Sequence, residues 1–520
     1  MGKKGRQFIF LGLLAALVLG TLLGTLKGAS MHVAIEAHDS VMEAAAARRS
    51  FDYEVLTPAR KILEKEKLQQ DTLVNAGFNE TIRAESEIDL AIAKARVEDA
   101  ESASDKNKEL EAQARSAYAP HAPWYSAFSI IKFSGKLFLN LLNMLVIPLV
   151  AVSIITGILS LGDVRHVGRT GLRTVAYYLI TTAIAVFIGI VLVNVIAPGT
   201  GMEGSGVIAG AVRGKEAVGI LDTVLRVFVN TDSIAKGAFP KNIIAAMAEM
   251  NVLGVITFSL IFGAALTTIG ERGRVVADFI TGLNEVILKM VHWVLLLLPV
   301  GVFGLIVSRL AEVGGGAAVW VELTRVAWYS ITVVLALGIH GVIVIPLIIF
   351  IFARRNPLNY LKHLAPALLT AFSTASSSAT LPTTIECVEE RAKVSRRSAS
   401  FVLPIGATIN MDGTALYEAV AVIFIAQVYG VPMDMTMLVI VFLTATLAAV
   451  GAAGIPEAGL VTMVVVLNAT GLPLEGVALL LSIDWLLDRC RTTVNVWGDA
   501  AGAAVIDRYE KTAEGSSVQS

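Results

Sequence analysis

A chain of 520 residues that is 55% hydrophobic and only 16% charged falls outside the soluble globular class, whose domains carry about 25% charged residues. Basic and acidic residues nearly cancel, 42 against 43, for a formal charge of −1, and no basic patch marks a nucleic-acid partner. The two cysteines, Cys387 and Cys490, lie far apart in apolar segments, which excludes a disulfide framework and a cysteine metal site and leaves both as small buried apolar side chains.

The start, MGKKGRQ, is followed by an apolar run from Phe8 to about Leu26. A signal peptide has an apolar core of about 7–15 residues, so this longer run predicts a first transmembrane helix within 1–30. Arg6 breaks the myristoylation pattern. Residues 31–122 differ from everything else: stretches such as KILEKEKLQQD are rich in good helix formers and charge, and proline is scarce. They predict two or three solvated helices, an extracytoplasmic insertion whose apolar positions are too sparse to set a heptad. Apolar spans follow at about 127–160, 171–197, 251–270, 277–308 and 323–353, with a mixed, Gly-rich stretch at 200–245. Basic clusters at Lys3, Lys4 and Arg6, at Arg165, Arg169 and Arg173, at Arg272 and Arg274, and at Arg354, Arg355 and Lys362 place those ends, and both termini, in the cytoplasm.

The C-terminal third is organised differently. Residues 365–388 are apolar but have basic clusters on both sides, Arg354, Arg355 and Lys362 before and Arg391, Lys393, Arg396 and Arg397 after. A single crossing would put one cluster outside, so a re-entrant hairpin is predicted, with Ser376–Ser378 and Pro382 at its tip. The span from Val402 to Val428 is interrupted by Asn410-Met411-Asp412-Gly413-Thr414. Residues 436–470 form an apolar pair split by GAAGIPEAG, a second hairpin entering from the opposite side. Gly- and Pro-interrupted segments of this kind point to a transporter site.

On the last span, Asp484, Asp488, Arg491, Asn495 and Asp499 recur at +4, +3, +4 and +4, one face of a helix. A charge at mid-bilayer costs roughly 2.5–3.5 kcal/mol on insertion scales, so this stripe faces an internal polar site. Asp488 can hold an ammonium and Arg491 a carboxylate through its fork, the two ends of an acidic amino acid; the bland alternative is an ion pair that only neutralises itself. Asn410, Asp412 and Thr414 offer oxygen ligands where the helix unwinds, suited to a hard cation such as Na⁺, against the alternative of a polar kink. Ser376–Ser378 and the hairpin-tip amides are candidate donors to an α-carboxylate. Glu418, on the same span beyond the break, is either a proton carrier or a static acid. Arg489 lies off the stripe as a counter-charge for nearby carboxylates, His340 reads as a packed polar contact, and Asp484 as a structural carboxylate or one supporting the substrate residues. An enzyme is disfavoured: the serine run lacks GxSxG spacing and a nearby His, and the flanking Asn and Arg residues fit ion and zwitterion binding better than a shared-proton aspartyl pair.

ASSSATLP at 375–382, NMDGTALYEA at 410–419, GAAGIPEAGL at 451–460 and DWLLDRCRTTVNVWGD at 484–499 resemble the glutamate/aspartate transporter family, the dicarboxylate/amino acid:cation symporters that include the excitatory amino-acid transporters. MLVIPLV at 144–150 and YYLITT at 177–182 are similar to two further family segments, and the likeness covers roughly 8–28 and 125–508. The resemblance implies an all-α polytopic membrane protein with eight transmembrane helices plus two re-entrant helical hairpins, built on inverted repeats and assembled as a homotrimer. It divides the chain into mainly scaffold helices (123–165, 200–310), transport-domain helices (166–199, 320–360), hairpin 1 (361–395), the broken helix (396–432), hairpin 2 (433–472), the polar last helix (473–510) and a tail (511–520), with elevator-type movement of the transport domain. It further implies that Arg491 and Thr414 bind the side-chain carboxylate and Asp488 the amino group. Thr492, Asn495, Ser377, Ser378 and the backbone of Ile455 and Gly459 would complete the substrate site. One sodium site would use Asp499 with Gly406, Asn410 and Asn495; a second Asp412, Asn410, Thr181, Thr182 and the Tyr178 carbonyl; a third the backbone of Thr408 and of Ala449, Val450 and Ala452. No organic cofactor is implied. Neutral amino-acid exchangers of this pattern lack an arginine at the place of Arg491, so acidic substrates are favoured. Ala375 stands where some prokaryotic members carry an arginine, Arg489 resembles the eukaryotic-type location, and Glu418 resembles the proton- or potassium-coupled members. A proton-coupled dicarboxylate or amino-acid symporter, and an ion channel with a substrate-gated anion conductance, are the alternatives. The 31–122 insertion departs from the family pattern.

Overall fold

A computed structural model describes residues 3–76, 79–160, 168–200, 237–450 and 458–517, and every regular element among them is helical. Five helices are long and apolar enough to cross a membrane, or six if the bent pair Gly270–Leu295 and Leu298–Glu312 counts as one span. The last helix carries too many charges, and Val252–Thr268 is too short, to join them on length and composition. Most of the Gly-rich 200–245 stretch and the second hairpin's tip at 451–457 lie outside the described residues.

The chain separates into two compact units. The smaller comprises Gly20–Phe133 and Val307–Val319. The helix Lys3–Phe51 runs through position 30 without a break, so the first apolar span and the start of the insertion share one helix. A π-turn, Asp52–Leu56, leads into Thr57–Asn75, next to Pro58, which cannot donate a backbone bond. Glu80–Tyr118 returns against it. The returning helix buries Ser86, Leu90, Ala93, Val97, Ala100, Ser104 and Glu111. From Ser86 to Ser104 the intervals alternate four and three, and a full heptad then leads to Glu111, a coiled-coil seam. The seam is hard to read in the sequence because Ser86, Ser104 and Glu111 occupy places where a heptad search expects apolar residues.

The larger unit comprises Met1–Leu19, Ser134–Ile306 and Trp320–Ser520. At its centre lies Asp412–Val428, buried at every position but Gln427. A helix buried all round must be apolar all round; here Asp412, Thr414 and Glu418 are the exceptions that need partners. Gly168–Ile196, Met435–Val450, Ala458–Thr470 and the long last helix Val477–Ser517 enclose it. Gly189 lets one of these come close, since a Cβ there would lie 2.9 Å from the Leu416 carbonyl. Pro357–Thr374 and Ser377–Glu386 pack on each other, joined by Ala375 in the left-handed region (φ 50°) and Ser376, whose hydroxyl caps the second helix by accepting from Ala379 N–H at 3.2 Å. Pro382 lies inside that second helix, so the turn depends on Ala375 and Ser376 alone. Near Pro346, which cannot donate a backbone bond, the helix widens into a π-turn at His340–Val344. Cys387 is buried as expected; Cys490 is only partly so.

Candidate functional site

Two helix features create the site. Arg396–Ile409 stops at Asn410 and Met411, both non-helical, and Asp412–Val428 restarts at once. The break is narrower than the five-residue interruption read from the sequence, because Asp412, Gly413 and Thr414 already form the first turn of the second half. A carboxylate is favoured at that positive helix end. Opposite the break, Val477–Ser517 is continuous, and Asp484, Asp488, Arg491, Asn495 and Asp499 are all buried on it.

The first polar cluster centres on Arg491, which is 0% exposed. Its Nη1 donates to Asp484 Oδ1 at 3.0 Å and its Nη2 to Asp488 Oδ1 at 2.7 Å. The guanidinium lies over the Tyr417 ring, 4.0 Å from its centroid. Three buried ionic side chains thus carry one surplus negative charge among themselves. Asp484, read from sequence as a structural carboxylate or one supporting the substrate residues, is a direct partner of Arg491. Gly459 closes this cluster: a Cβ there would fall 2.6 Å from Nη1 and 2.8 Å from Cζ, so only hydrogen fits. Gly413 meets the Arg491 carbonyl in the same way, at 2.6 Å.

Asn495 links this cluster to the break. Its Oδ1 accepts from Gly413 N–H at 2.8 Å, and its Nδ2 donates to Thr414 Oγ1 at 3.2 Å. Thr414 and Thr492 are buried. Glu418, one turn beyond Thr414, is fully buried with the Thr462 hydroxyl beside its carboxyl. Ser377 is buried at the start of its helix while Ser378 is exposed.

The second cluster surrounds Asp412 and Asp499. Thr182 Oγ1 donates to Asp412 Oδ1 at 2.7 Å, and Thr181 Oγ1 lies 3.3 Å from the same oxygen. Thr181 Oγ1 also lies 3.1 Å from the Tyr177 and Tyr178 carbonyls. His340 Nε2 is 3.1 Å from Asp412 Oδ2. Asn410 Nδ2 donates to Asp499 Oδ1 at 2.9 Å, and its own Oδ1 is buried without a hydrogen-bond partner among the described residues. At Gly406 a Cβ would lie 2.5 Å from Asp499 Oδ1; at Gly498 it would lie 2.9 Å from Asn410 Nδ2 and 3.2 Å from Asp412 Oδ2. Among the described residues, neither Asp412 nor Asp499 has a Lys or Arg partner. Two buried carboxylates held only by hydroxyls, an amide and an imidazole retain a demand for positive charge. No group of three His, Cys, Asp or Glu residues suited to a metal forms among the described residues. The donors here are oxygens of mixed type, the set that suits a hard cation.

The remaining expected ligands are partly in view. Thr408 is half-buried with its hydroxyl on the Ile405 carbonyl, and Ala449 and Val450 end their helix in the core, Val450 in one apolar cluster with Ile409. Ala452 and Ile455 lie outside the described residues. Among the described residues Arg489 reaches no carboxylate: its Nη1 donates to the Trp485 carbonyl at 2.6 Å and its guanidinium lies over the Trp485 ring, in the turn that precedes it. Sequence reasoning missed the Tyr417 ring over Arg491, the His340 contact with Asp412, and Asp507. The last continues the stripe two turns on and is buried against Arg355, Lys511 and the Ser395 N–H. For Asp507 a signal existed, the +8 spacing from Asp499; for Tyr417 there was none.

Residues 122–509 match the sodium:dicarboxylate symporter family. The chain is 42% identical over 414 residues to an excitatory amino acid transporter of Caenorhabditis elegans, covering 73% of this chain and 82% of the relative. It is 40% identical over 419 residues to human excitatory amino acid transporter 3, covering 73% and 79%, and 38% identical over 464 residues to mouse excitatory amino acid transporter 4, covering 76% and 80%. With a match across most of its length and the motif residues gathered around one buried polar site, the chain belongs to the sodium:dicarboxylate symporter family.

Proposed function

We propose that this protein is a secondary active transporter of acidic amino acids, L-glutamate and/or L-aspartate, driven by the sodium gradient. The observation that carries the reading is the pairing of two unlike clusters along the last helix: a buried guanidinium between two carboxylates, and two turns further, at Asp499, a carboxylate set shared with Asp412 that has no Lys or Arg partner among the described residues. The names of the relatives agree with it. In this reading the substrate's side-chain carboxylate takes the fork of Arg491 with Thr414 beside it, and its amino group takes Asp488. Binding is therefore an exchange of ion-pair partners within the site, so the buried charges never lack a counter-charge. Asn495, Thr492, Ser377, Ser378 and the backbone of Ile455 and Gly459 receive the α-carboxylate end.

Sodium ions are coupling ions here. Asp412 with Asn410, Thr181, Thr182 and the Tyr178 carbonyl forms one site, and Asp499 with Gly406, Asn410 and Asn495 another. Thr408 with Ala449, Val450 and Ala452 contributes a third. At the first two sites the ion neutralises a carboxylate region that the protein leaves uncompensated, which couples ion entry to a competent site. Glu418 is the candidate for additional proton coupling; its burial beside a single hydroxyl favours a second reading, in which protons replace part of the sodium drive. The two helix pairs at 361–395 and 433–472 act as re-entrant gates in an eight-helix, multi-pass fold. The subunit works in a homotrimer by elevator movement, with both termini cytoplasmic.

The test is uptake of a panel of labelled amino acids into proteoliposomes under imposed Na⁺, H⁺ and K⁺ gradients. Accumulation of acidic amino acids that collapses without inward Na⁺ is expected. Uptake indifferent to Na⁺ but driven by H⁺ would move the protein to the proton-coupled reading, and substrate-gated current without accumulation would make it a channel.

A further inference from the structure

His340 is fully buried, and its Nε2 lies 3.1 Å from Asp412 Oδ2. An ionised carboxylate only accepts, so Nε2 bears the proton. Nδ1 is buried with no hydrogen-bond partner among the described residues. With Nε2 as the donor, the neutral imidazole gives its one N–H to the carboxylate. Such a donor orients a carboxylate without cancelling its charge, which a lysine or arginine in the same place would do.

The two oxygens of Asp412 consequently face different surroundings. Oδ2 is occupied by His340, while Oδ1 lies among the hydroxyls of Thr181 and Thr182, with the Tyr177 and Tyr178 carbonyls next to Thr181. The imidazole is itself held in place. His340 opens the π-turn His340–Val344, and the next residue's carbonyl, Gly341 O, accepts from Trp497 Nε1 at 3.0 Å. Trp497 is two residues before Asp499 on the last helix. π-turns of this kind recur where a side chain must be re-aimed at a functional site.

We infer that His340 is a positioning residue for the Asp412 cation site: through Nε2–H it fixes the carboxylate so that Oδ1 is the oxygen presented to the ion. The inference rests on the reading of Asp412 as a sodium ligand. Partners that orient ligating groups are worth roughly 10–100-fold in metal affinity, and the same direction is expected for sodium.

The experiment compares His340→Ala, His340→Gln and His340→Asn with the parent protein. A glutamine amide N–H reaches the place of imidazole Nε2; an asparagine amide reaches only that of Nδ1. Two quantities are measured: sodium-dependent thermal stabilisation of the detergent-purified protein without amino acid, and the Na⁺ concentration for half-maximal uptake beside the substrate KM at saturating Na⁺. Alanine and asparagine are expected to raise the sodium requirement in both assays by roughly 10-fold or more, with KM at saturating Na⁺ unchanged. Glutamine is expected to restore most of it. Glutamine and asparagine behaving alike, or alanine retaining the parent's sodium dependence, overturns the inference. Asp412→Asn serves as the control: if it too keeps the parent's sodium dependence, the cation-site reading fails; if it loses it while His340→Ala does not, only the role of His340 fails.

Discussion

Two arrangements in this chain are mirror images of each other. In the insertion, Glu111 sits between two guanidiniums: Arg115 Nη2 at 2.6 Å from Oε1 and Arg48 Nη1 at 3.1 Å from Oε2. In the last helix, Arg491 sits between two carboxylates at similar distances. The difference is water. The side chains of Arg48 and Arg115 are 37% and 64% exposed, and Arg48 also pairs with Asp52 at 3.6 Å, so the surplus positive charge of that trio is shared with solvent and a fourth side chain. The Asp484 and Asp488 side chains are 6% and 9% exposed and Arg491 is 0%, so the surplus negative charge has no solvent to share it. The same pairings make a structural clasp in one place and, on the reading proposed above, a site for an incoming cationic group in the other.

The comparison can be broken most sharply at Arg491. Arg491→Cys removes the fork for a distal carboxylate, and sites built to bind a polar group discriminate by roughly 10⁴-fold. Loss of acidic-substrate uptake of that order is expected, with small neutral amino acids becoming competitors; competition assays in proteoliposomes measure it, and retained acidic preference would sink the assignment. Gly459→Ala is a milder test. Its Cβ would press on Nη1, and because Asp484 and Asp488 restrain the guanidinium, the substrate KM should rise about tenfold, or ~1.4 kcal/mol, with surface expression unchanged.

The other half of the comparison predicts smaller effects. The hydrogen bonds from Arg115, and then from Arg48, hold the Glu111 carboxyl below the ordinary carboxylate range. A depressed carboxylate stabilises the fold above its unfolded value and loses that contribution as pH falls through its folded value. Hydrogen-exchange protection along Glu80–Tyr118, corrected for intrinsic rates, should therefore be flat through neutral pH and decline in acid. Glu111→Gln should lower it at neutral pH and flatten the acid decline, while uptake stays at the parent level. Arg60→Ala should have the smallest effect. It breaks an exposed pair with Glu101 at 2.7 Å, and such pairs contribute about 0.2–1 kcal/mol; a change in melting temperature of more than a few degrees would show that the insertion's surface pairs act as a network.

Much of the site was legible because its spacing is local. The +4, +3, +4, +4 stripe is a property of one helix, and the polar Asn410–Thr414 run could not continue an apolar span unbroken. What the sequence concealed has particular causes. The seam of Glu80–Tyr118 includes Ser86, Ser104 and Glu111, and the last two are satisfied from across the hairpin: Ser104 Oγ donates to Asp52 Oδ1 at 2.6 Å, and Arg48 reaches Glu111. Helical spacing separates Arg489 from the stripe that holds Arg491, but only packing shows the first lying on Trp485 in place of a carboxylate.

Local sequence suffices to make this a membrane-embedded helical chain, to set one ionic helix face and to break a neighbouring span, because hydropathy and helical periodicity are functions of nearby residues. Tertiary structure alone decided which charge meets which. His340 and Asp412 are 72 positions apart, and Gly413 and Asn495 are 82. No periodicity spans such distances; close packing of helices that are remote in sequence brings a donor to its acceptor.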